Sequence, residues 1–411
     1  MAQLLSAYSG DITSWRASSD FVVAYRQALL AHIASGECPS AEEVFRDARA
    51  ALEEFATENK CLQSRMNGVL EEVALTDDLE WHKELTSVFF RDLYHQLDLL
   101  HSAPAFYQGS FSFLRQISAA IIRQALTQLG GEAVHLPRIA LSALGPAGRC
   151  EYSPFCPLQI ALIHEEVTVA GRETVARFTQ SLHAGFEALG LFVDPIVTPR
   201  NPEWCGTAAE WRQRSSAGIG PLPEELLIDQ LRLADQYQLY HAGGALQELK
   251  SVSTPLLRIN RPALSSLIVR MEAIGHGLGL MGGLKLERSG SMRGMFPLLQ
   301  FGLMPLSAAV SALALLKESS VADIPGRARE LLSRQLLDVD LAERILSSWH
   351  TLHEFRLFRE RTFSDGPYTN QAMYLNPKEL SAGQRLSLKE ALESVAVIQR
   401  QVGTAFSESE E

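Results

Sequence analysis

Clustered positive charge is what this sequence most plainly lacks. Its 37 Lys and Arg are outnumbered by 48 Asp and Glu, giving a formal net charge of -11. Neutralising a nucleic-acid backbone takes grouped basic side chains, so a nucleic-acid binder is excluded and a protein or small-molecule partner is expected. Cysteine is also sparse, with five residues in 411 and no framework spacing. That excludes a disulfide scaffold and points to reduced thiols in a cytoplasmic protein. The opening residues MAQLLSAYSGD contain no basic stretch followed by an apolar core, so no secretory signal is read there. Charge is absent altogether from Gly294 to Leu316. Pro297 and Pro305 interrupt that run and leave only Leu306 to Leu316 as an unbroken helical stretch. A run of that length is expected to be a core helix and not a membrane span.

What is present is ordinary globular composition, 46% hydrophobic and 21% charged, on a chain long enough for two or three cores. The first third reads as helix. Ser40 and Glu43 form a capping-box pattern ahead of Val44, Ala48, Ala51, Leu52 and Phe55 at helical spacing. Amphipathic stretches follow at 60–75, 78–101 and 109–129, the last closed by Gly130 and Gly131. The pattern then changes to short apolar runs at Pro137–Gly145, Leu158–Ile163 and Leu191–Thr198, with a helical period over Arg172–Leu189 between the second and third. Strand, loop, strand, helix, strand makes a compact mixed unit. Helices are expected again at 223–240, 243–250, 262–275, 306–317, 324–335, 338–361 and 379–402, before an acidic tail. The domains expected are therefore 1–131, a helical region; 132–220, an α/β domain; and 221–405, a second helical domain.

The stretch ALGPAGRCEYSPFCPLQIALIHEE, residues 143–166, carries the chemistry. Gly145, Gly148, Arg149 and Glu151, followed by the apolar strand Ala161-Leu162-Ile163, resemble the bacterial nucleotidyltransferase-like proteins related to the N-terminal domain of protein-PII uridylyltransferase. Those proteins are often attached to CBS or cyclic-nucleotide-binding modules. Asn201-Pro202-Glu203-Trp204 with Trp211, and Asn376-Pro377-Lys378-Glu379-Leu380-Ser381, extend the likeness over about 110–400. The resemblance implies an α+β fold of the polymerase-beta-like type: a small mixed sheet with helices, preceded by a helical region and followed by a helical, substrate-binding-like bundle.

In such proteins, glycines let the backbone approach a triphosphate. Two Asp at i and i+2 on a strand share a face and hold Mg²⁺ against the phosphates. Here the resemblance places the loop hydroxyl at Pro146 and the two metal-ligand positions at Pro157 and Gln159. Proline offers neither hydroxyl nor N–H, and Gln159 offers one neutral carbonyl oxygen. Further along, the family's Asp-x-Arg becomes Asp235-Gln236-Tyr237, and its Asp-Leu-Lys becomes Ser289-Gly290-Ser291. No catalytic residue, metal or cofactor is therefore expected, and Gly145, Gly148, Arg149 and Glu151 are the vestige of a nucleotide site. A regulatory or scaffold protein with a protein partner is expected, away from membranes, and the composition permits a homo-oligomer. Two alternatives stand beside it. One is an active uridylyl- or adenylyltransferase using Mg²⁺ and an NTP on a signalling protein; the other is a nucleotide sensor that needs no metal.

Other signals weigh less. Gly277, Gly279 and Gly282 fit a dinucleotide-binding pattern as text but follow a helical stretch, so a loop is expected. His350, His353 and Glu354 share a helix face without a third ligand in view. Cys150 and Cys156 flank the loop without a metal or disulfide spacing. Asp194 falls on the expected third strand, where related enzymes often carry another acid. Glu165 and Glu166 lie six to nine residues beyond the acid positions, roughly 20–30 Å along an extended strand, and cannot replace them. Arg149 and Glu151 read equally well as an ion pair that fixes the turn.

Overall fold

Ser40 and Glu43 open the first long helix of the computed structural model, which describes residues 40–216, 231–243, 246–259, 282–363 and 369–407, with isolated positions at 28, 31, 32, 265, 268, 269 and 277–279. The capping box is reciprocal: Glu43 N donates to Ser40 Oγ at 3.3 Å, and Ser40 N donates to Glu43 Oε2 at 2.8 Å. The helix, α1, spans Ala41–Leu75 as one piece where the sequence suggested two. The chain divides into two compact units at Gly68/Val69. Within the first, His32 Nε2 lies 2.9 Å from Asp47 Oδ2.

In the second unit, α2 (Leu79–Leu100) is capped by Asp78 and ends at His101 in the left-handed conformation. After it, α3 (Ala103–Leu129) buries a face from Phe106 to Ala125. The sheet follows, in order β3-β2-β1-β4. β1 (Ile139–Leu144) is buried at every position and pairs antiparallel with β2 (Gln159–His164), Leu144 facing Gln159. Next come α4 (Val169–Ala188), β3 (Cys205–Thr207, parallel to β2) and α5 (Ala208–Ser216). β4 (Gln236–His241) pairs antiparallel with the other edge of β1. This is the mixed sheet with flanking helices that the resemblance implied.

Two expectations for the sheet region fail within the described residues. Leu191–Thr198 is not a strand. It runs beside β2 through one parallel bridge to Val193 from Leu158, the residue before that strand, and through Ile160 N donating to Val197 O at 3.1 Å. Pro195 has no N–H to continue a ladder. Asp194 Oδ1 takes the N–H groups of Ile196 and Val197, both at 2.9 Å, which folds the chain into a turn. The second failure is residues 236–240, the end of the helix expected at 223–240, found within β4. The positions 233, 237 and 240 carry apolar or aromatic side chains at helical spacing, but hydrogen bonding to β1 decides the outcome, and local pattern cannot register a long-range partner.

The remaining helices are α6 (Leu249–Ile259), displaced from the expected 243–250, then α7 (Met304–Leu316), α8 (Ile324–Ser333), α9 (Val339–Arg361) and α10 (Ala382–Ser407). A two-stranded ladder joins β5 (Phe296–Pro297) to β6 (Tyr374–Leu375). The expected helix at 262–275 falls mostly outside the described residues, as do 223–230 and the tail beyond Ser407. Gly279 N donates to Gly283 O at 2.8 Å and Leu278 bridges Leu284, so the described glycines at 277, 279 and 282 are not helical.

The uncharged run does form a core helix. By length and composition Leu299–Leu316 could cross a membrane, yet α7 packs against α10, α8, α6 and α9 with Leu306, Ala309, Val310, Ala312 and Leu313 buried. A wide turn over Leu299–Leu303 leads into it. Its C-terminal end is held by cations. The carbonyls of Lys317 and Glu318 accept from Arg334 (3.0 and 3.4 Å), that of Ser319 from Arg258 (3.3 Å), that of Ser320 from Lys250 (2.5 Å) and that of Val321 from Arg327 (2.9 Å). Positive side chains at carbonyls that have no helical partner satisfy both the hydrogen bonds and the negative end of the helix dipole.

Candidate functional site

β1 delivers the chain to the loop at its buried end. Gly145 has φ +57 and Gly148 closes a single helical turn. Gly145 is required by its left-handed backbone, and Gly148 by the backbone packed against it. A Cβ on Gly145 would lie 2.4 Å from Gln159 Oε1, and one on Gly148 would lie 2.1 Å from the Asp235 carbonyl oxygen and 2.8 Å from that of Ala143. The loop is thus packed against its own protein, with β4 beginning where a side chain at 148 would have to go. Cys150 follows at φ +61, a left-handed residue that turns the chain so that Arg149 and Glu151 meet.

Arg149 points inward. Its Nε donates to Glu151 Oε2 at 2.9 Å and its NH1 to Asp235 Oδ2 at 2.8 Å. Asp235 Oδ1 accepts in turn from Arg327 (2.7 Å) and Ser311 Oγ (2.6 Å). Glu151 Oε1 accepts from Trp349 Nε1 at 2.8 Å. A neighbouring set joins Arg356 Nε to Glu360 Oε1 (2.7 Å), and both residues to the Ser153 hydroxyl, at 2.7 and 3.0 Å. Three guanidiniums and three carboxylates are thereby buried together, each within reach of an opposite charge. Burial acts against the charge on Arg149, but Glu151 and Asp235 raise its pKa above the ordinary arginine value. It is held as a permanent cation.

His353 belongs to the same network. Its Nδ1 is 2.7 Å from the Tyr107 hydroxyl, and its Nε2 is 3.6 Å from Glu151 Oε1. Burial pushes the imidazole well below its usual value near 6.5, and the charges of Arg356 and Arg149 add to the effect. Tyr107 is kept protonated by burial, so the phenol donates to Nδ1 and the ring proton sits on Nε2, facing Glu151. The sign of the linkage follows. Below about pH 6.5 the unfolded chain binds a proton at this position that the folded chain refuses. The stability associated with neutral His353 is complete above that pH and is lost as the pH falls, by up to about 1.4 kcal/mol per unit. Urea melts between pH 7.5 and 5.5 are expected to show a steeper loss for the unaltered chain than for His353→Gln; equal slopes would mean that the folded protein accepts the proton.

At the other side of the Gly145 turn, Gln159 Nε2 donates to Asp194 Oδ2 at 2.9 Å. With Ile196 and Val197 N–H on Oδ1, the Asp194 carboxylate has three donors from its own chain. Among the described residues no group of three His, Cys, Asp or Glu is placed to hold a metal ion. Glu165 is engaged by Arg138 at the far end of β2, and His350 is depressed by burial without joining the network. Cys150 and Cys156 are both free; burial pushes the Cys150 thiol up to about 12 and raises that of Cys156, so neither is a thiolate near neutral pH.

The structure brings Gly145, Gly148, Arg149, Glu151, Gln159, Asp194 and Asp235 to one region. Trp204 and Trp211, prominent in the resemblance, are core: the rings are 6.2 Å apart and Trp211 Nε1 donates to Leu162 O at 3.2 Å. Sequence reasoning missed Arg327, Ser311, Trp349, Arg356 and Glu360. The one local signal was Arg356 and Glu360 at i, i+4 on a helix, a spacing that normally marks an exposed pair.

A small mixed sheet whose first strand ends in a glycine-bounded turn beside the second strand, followed by a helical bundle, defines a nucleotidyltransferase-like protein. Residues 106–221 match the family model described as Putative nucleotidyltransferase DUF294, and residues 261–406 match that described as Putative nucleotidyltransferase substrate binding domain. The chain belongs to this nucleotidyltransferase-like family, with both of its parts in order. No curated protein matches the chain.

Proposed function

We propose that this chain is a nucleotidyltransferase-fold protein without metal-dependent transfer, working in the cytoplasm as a regulatory or scaffold component that engages a protein partner through its helical parts. The observation that carries the reading is the state of Gln159 and Asp194. Where the family has a metal ligand, Gln159 presents an amide that donates to Asp194, and the remaining Asp194 oxygen is taken by two backbone N–H groups. A single carboxylate already engaged by three N–H donors, beside a proline and a neutral amide, does not fit a Mg²⁺ pair, which needs several charged oxygens facing one point. Arg149 supports the same reading, because its donors are directed to Glu151 and Asp235 in the interior. That also counts against a nucleotide sensor built on Arg149.

Incubation with each labelled NTP, Mg²⁺ or Mn²⁺ and a cell lysate is expected to give no metal-dependent labelling by the unaltered chain. Labelling that requires metal and disappears in Asp194→Asn would sink the proposal and restore the active-transferase reading.

A further inference from the structure

The cations gathered at the C-terminal end of α7 are not alike. Arg327 and Arg334 each have a carboxylate: Arg327 NH1 lies 2.7 Å from Asp235 Oδ1, and Arg334 NH1 lies 3.2 Å from Glu330 Oε1. Lys250 and Arg258 meet neutral oxygens, the carbonyls of Ser320 and Ser319. Among the described residues no carboxylate lies within ion-pair distance of either. The end of a helix carries only roughly half a unit of negative charge, so the carbonyls satisfy hydrogen bonds without cancelling these two cations.

Their charged ends are also brought together. Lys250 and Arg258 are eight residues apart on α6, roughly 12 Å of helix rise, yet they donate to adjacent carbonyls, and Arg327 Nε donates to the next one, Val321 O, at 2.9 Å. Three successive residues span at most roughly 7–8 Å, so cations from α6 and α8 meet over one short stretch of chain. Lys250 registers the result: burial, then the charges of Arg327 and Arg258, lower its pKa below the ordinary lysine value, and Glu248 and Glu330 offset this only in part. In a chain of net charge -11, the fold assembles a positive cluster that the sequence does not show.

Donor capacity remains at both side chains. An ammonium has three N–H donors and a guanidinium five, and the Ser320 and Ser319 carbonyls each take one. Both residues are half-buried, which leaves a path for a small solute. A point charge beside a planar fork suits a tetrahedral oxyanion, with the ammonium on one oxygen and the guanidinium on two. We infer that Lys250 and Arg258 form a binding site for a phosphate group, either inorganic phosphate or the phosphoryl group of a small metabolite. The site does not use Arg149, which is committed to Glu151 and Asp235, and it stands whether or not nucleotide transfer has been lost.

Calorimetric titration with inorganic phosphate, and separately with phenyl phosphate, against chloride at equal ionic strength tests the inference. The unaltered chain is expected to bind at least one of the two, and tighter binding of the ester assigns the site to a phosphorylated metabolite. Lys250→Gln and Arg258→Gln keep a donor for the carbonyls and should each weaken binding about tenfold or more. Arg334→Gln, which removes a cation already paired with Glu330, should change it little. In the unaltered chain, the bound anion should also protect Lys250 from reductive methylation, read by mass spectrometry. Binding of neither anion beyond chloride, equal weakening in all three variants, or no protection of Lys250 overturns the inference.

Discussion

Gly148→Ala is expected to be the most damaging glycine-to-alanine change among the described residues. The added Cβ would stand 2.1 Å from the Asp235 carbonyl oxygen and 2.8 Å from the Ala143 carbonyl oxygen. Both obstacles are backbone, one at the end of β1 and one at the start of β4, and neither can rotate aside. Relief would require β4 to move off β1 or the turn to open, and either disrupts hydrogen bonds of the sheet. Overpacking at a site that can relax costs about 1–3 kcal/mol; here a loss of about 3 kcal/mol or more is expected. Gly131→Ala is the matched control, since a Cβ there meets nothing within 4 Å, and its effect should stay within about 0.5 kcal/mol. Chemical denaturation of the two variants side by side decides the matter. Equal midpoints would mean that β4 does not lie against the turn.

Asp235→Ala is expected to cost nearly as much for an electrostatic reason. The carboxylate is buried and receives Arg149 on one oxygen, Arg327 and Ser311 on the other. Truncation leaves two interior guanidiniums facing a gap, with only Glu151 to balance Arg149. Removing one partner of a buried ion pair typically costs about 3–5 kcal/mol, much of it the desolvation of the charge left behind. Asp235→Asn keeps the shape and one acceptor and should lose less than Asp235→Ala. If the two substitutions are equally mild, the cluster is hydrated in solution and the charges are not buried as described.

The helical parts were legible because amphipathic period and caps are local. Ser40 with Glu43, Asp78, Asp323 and Asp338 each sit where a helix begins, and each accepts from the first turn or, for Ser40, closes a reciprocal box. β1 and β2 were legible because each carries a short, mostly apolar run with a Gly or Pro close by: Ile139–Leu144 ahead of Gly145, and Ile160–Ile163 after Pro157. β4 was not, since Gln236–His241 has no clean alternation and becomes a strand only by pairing with residues almost a hundred positions earlier. The turn at Asp194 was hidden by branched neighbours that resemble a strand, although Asp followed by Pro is a turn signal in itself. At the site, the substituted positions Pro157 and Gln159 could be read directly from sequence once the resemblance was seen. The fate of Arg149 could not, because its second partner, Asp235, is 86 residues away. Asp235 stood out in the sequence only as the first residue of a pattern whose third position, Tyr237, departs from the family's, and the structure sets it between Arg149 and Arg327.

The fourth strand has a practical corollary for anyone wishing to dissect the molecule. Residues 106–221 are a natural choice for a shortened expression product, because one family model matches that stretch and stops there. Such a fragment would lack 236–241, and the edge of β1 from Ala140 to Leu144 that β4 now covers would be left open. An apolar strand with unpaired N–H and C=O groups along its edge is a template for sticking to other copies. The matched segments therefore mark where relatives can be aligned, and the places where this polypeptide can be cut lie elsewhere.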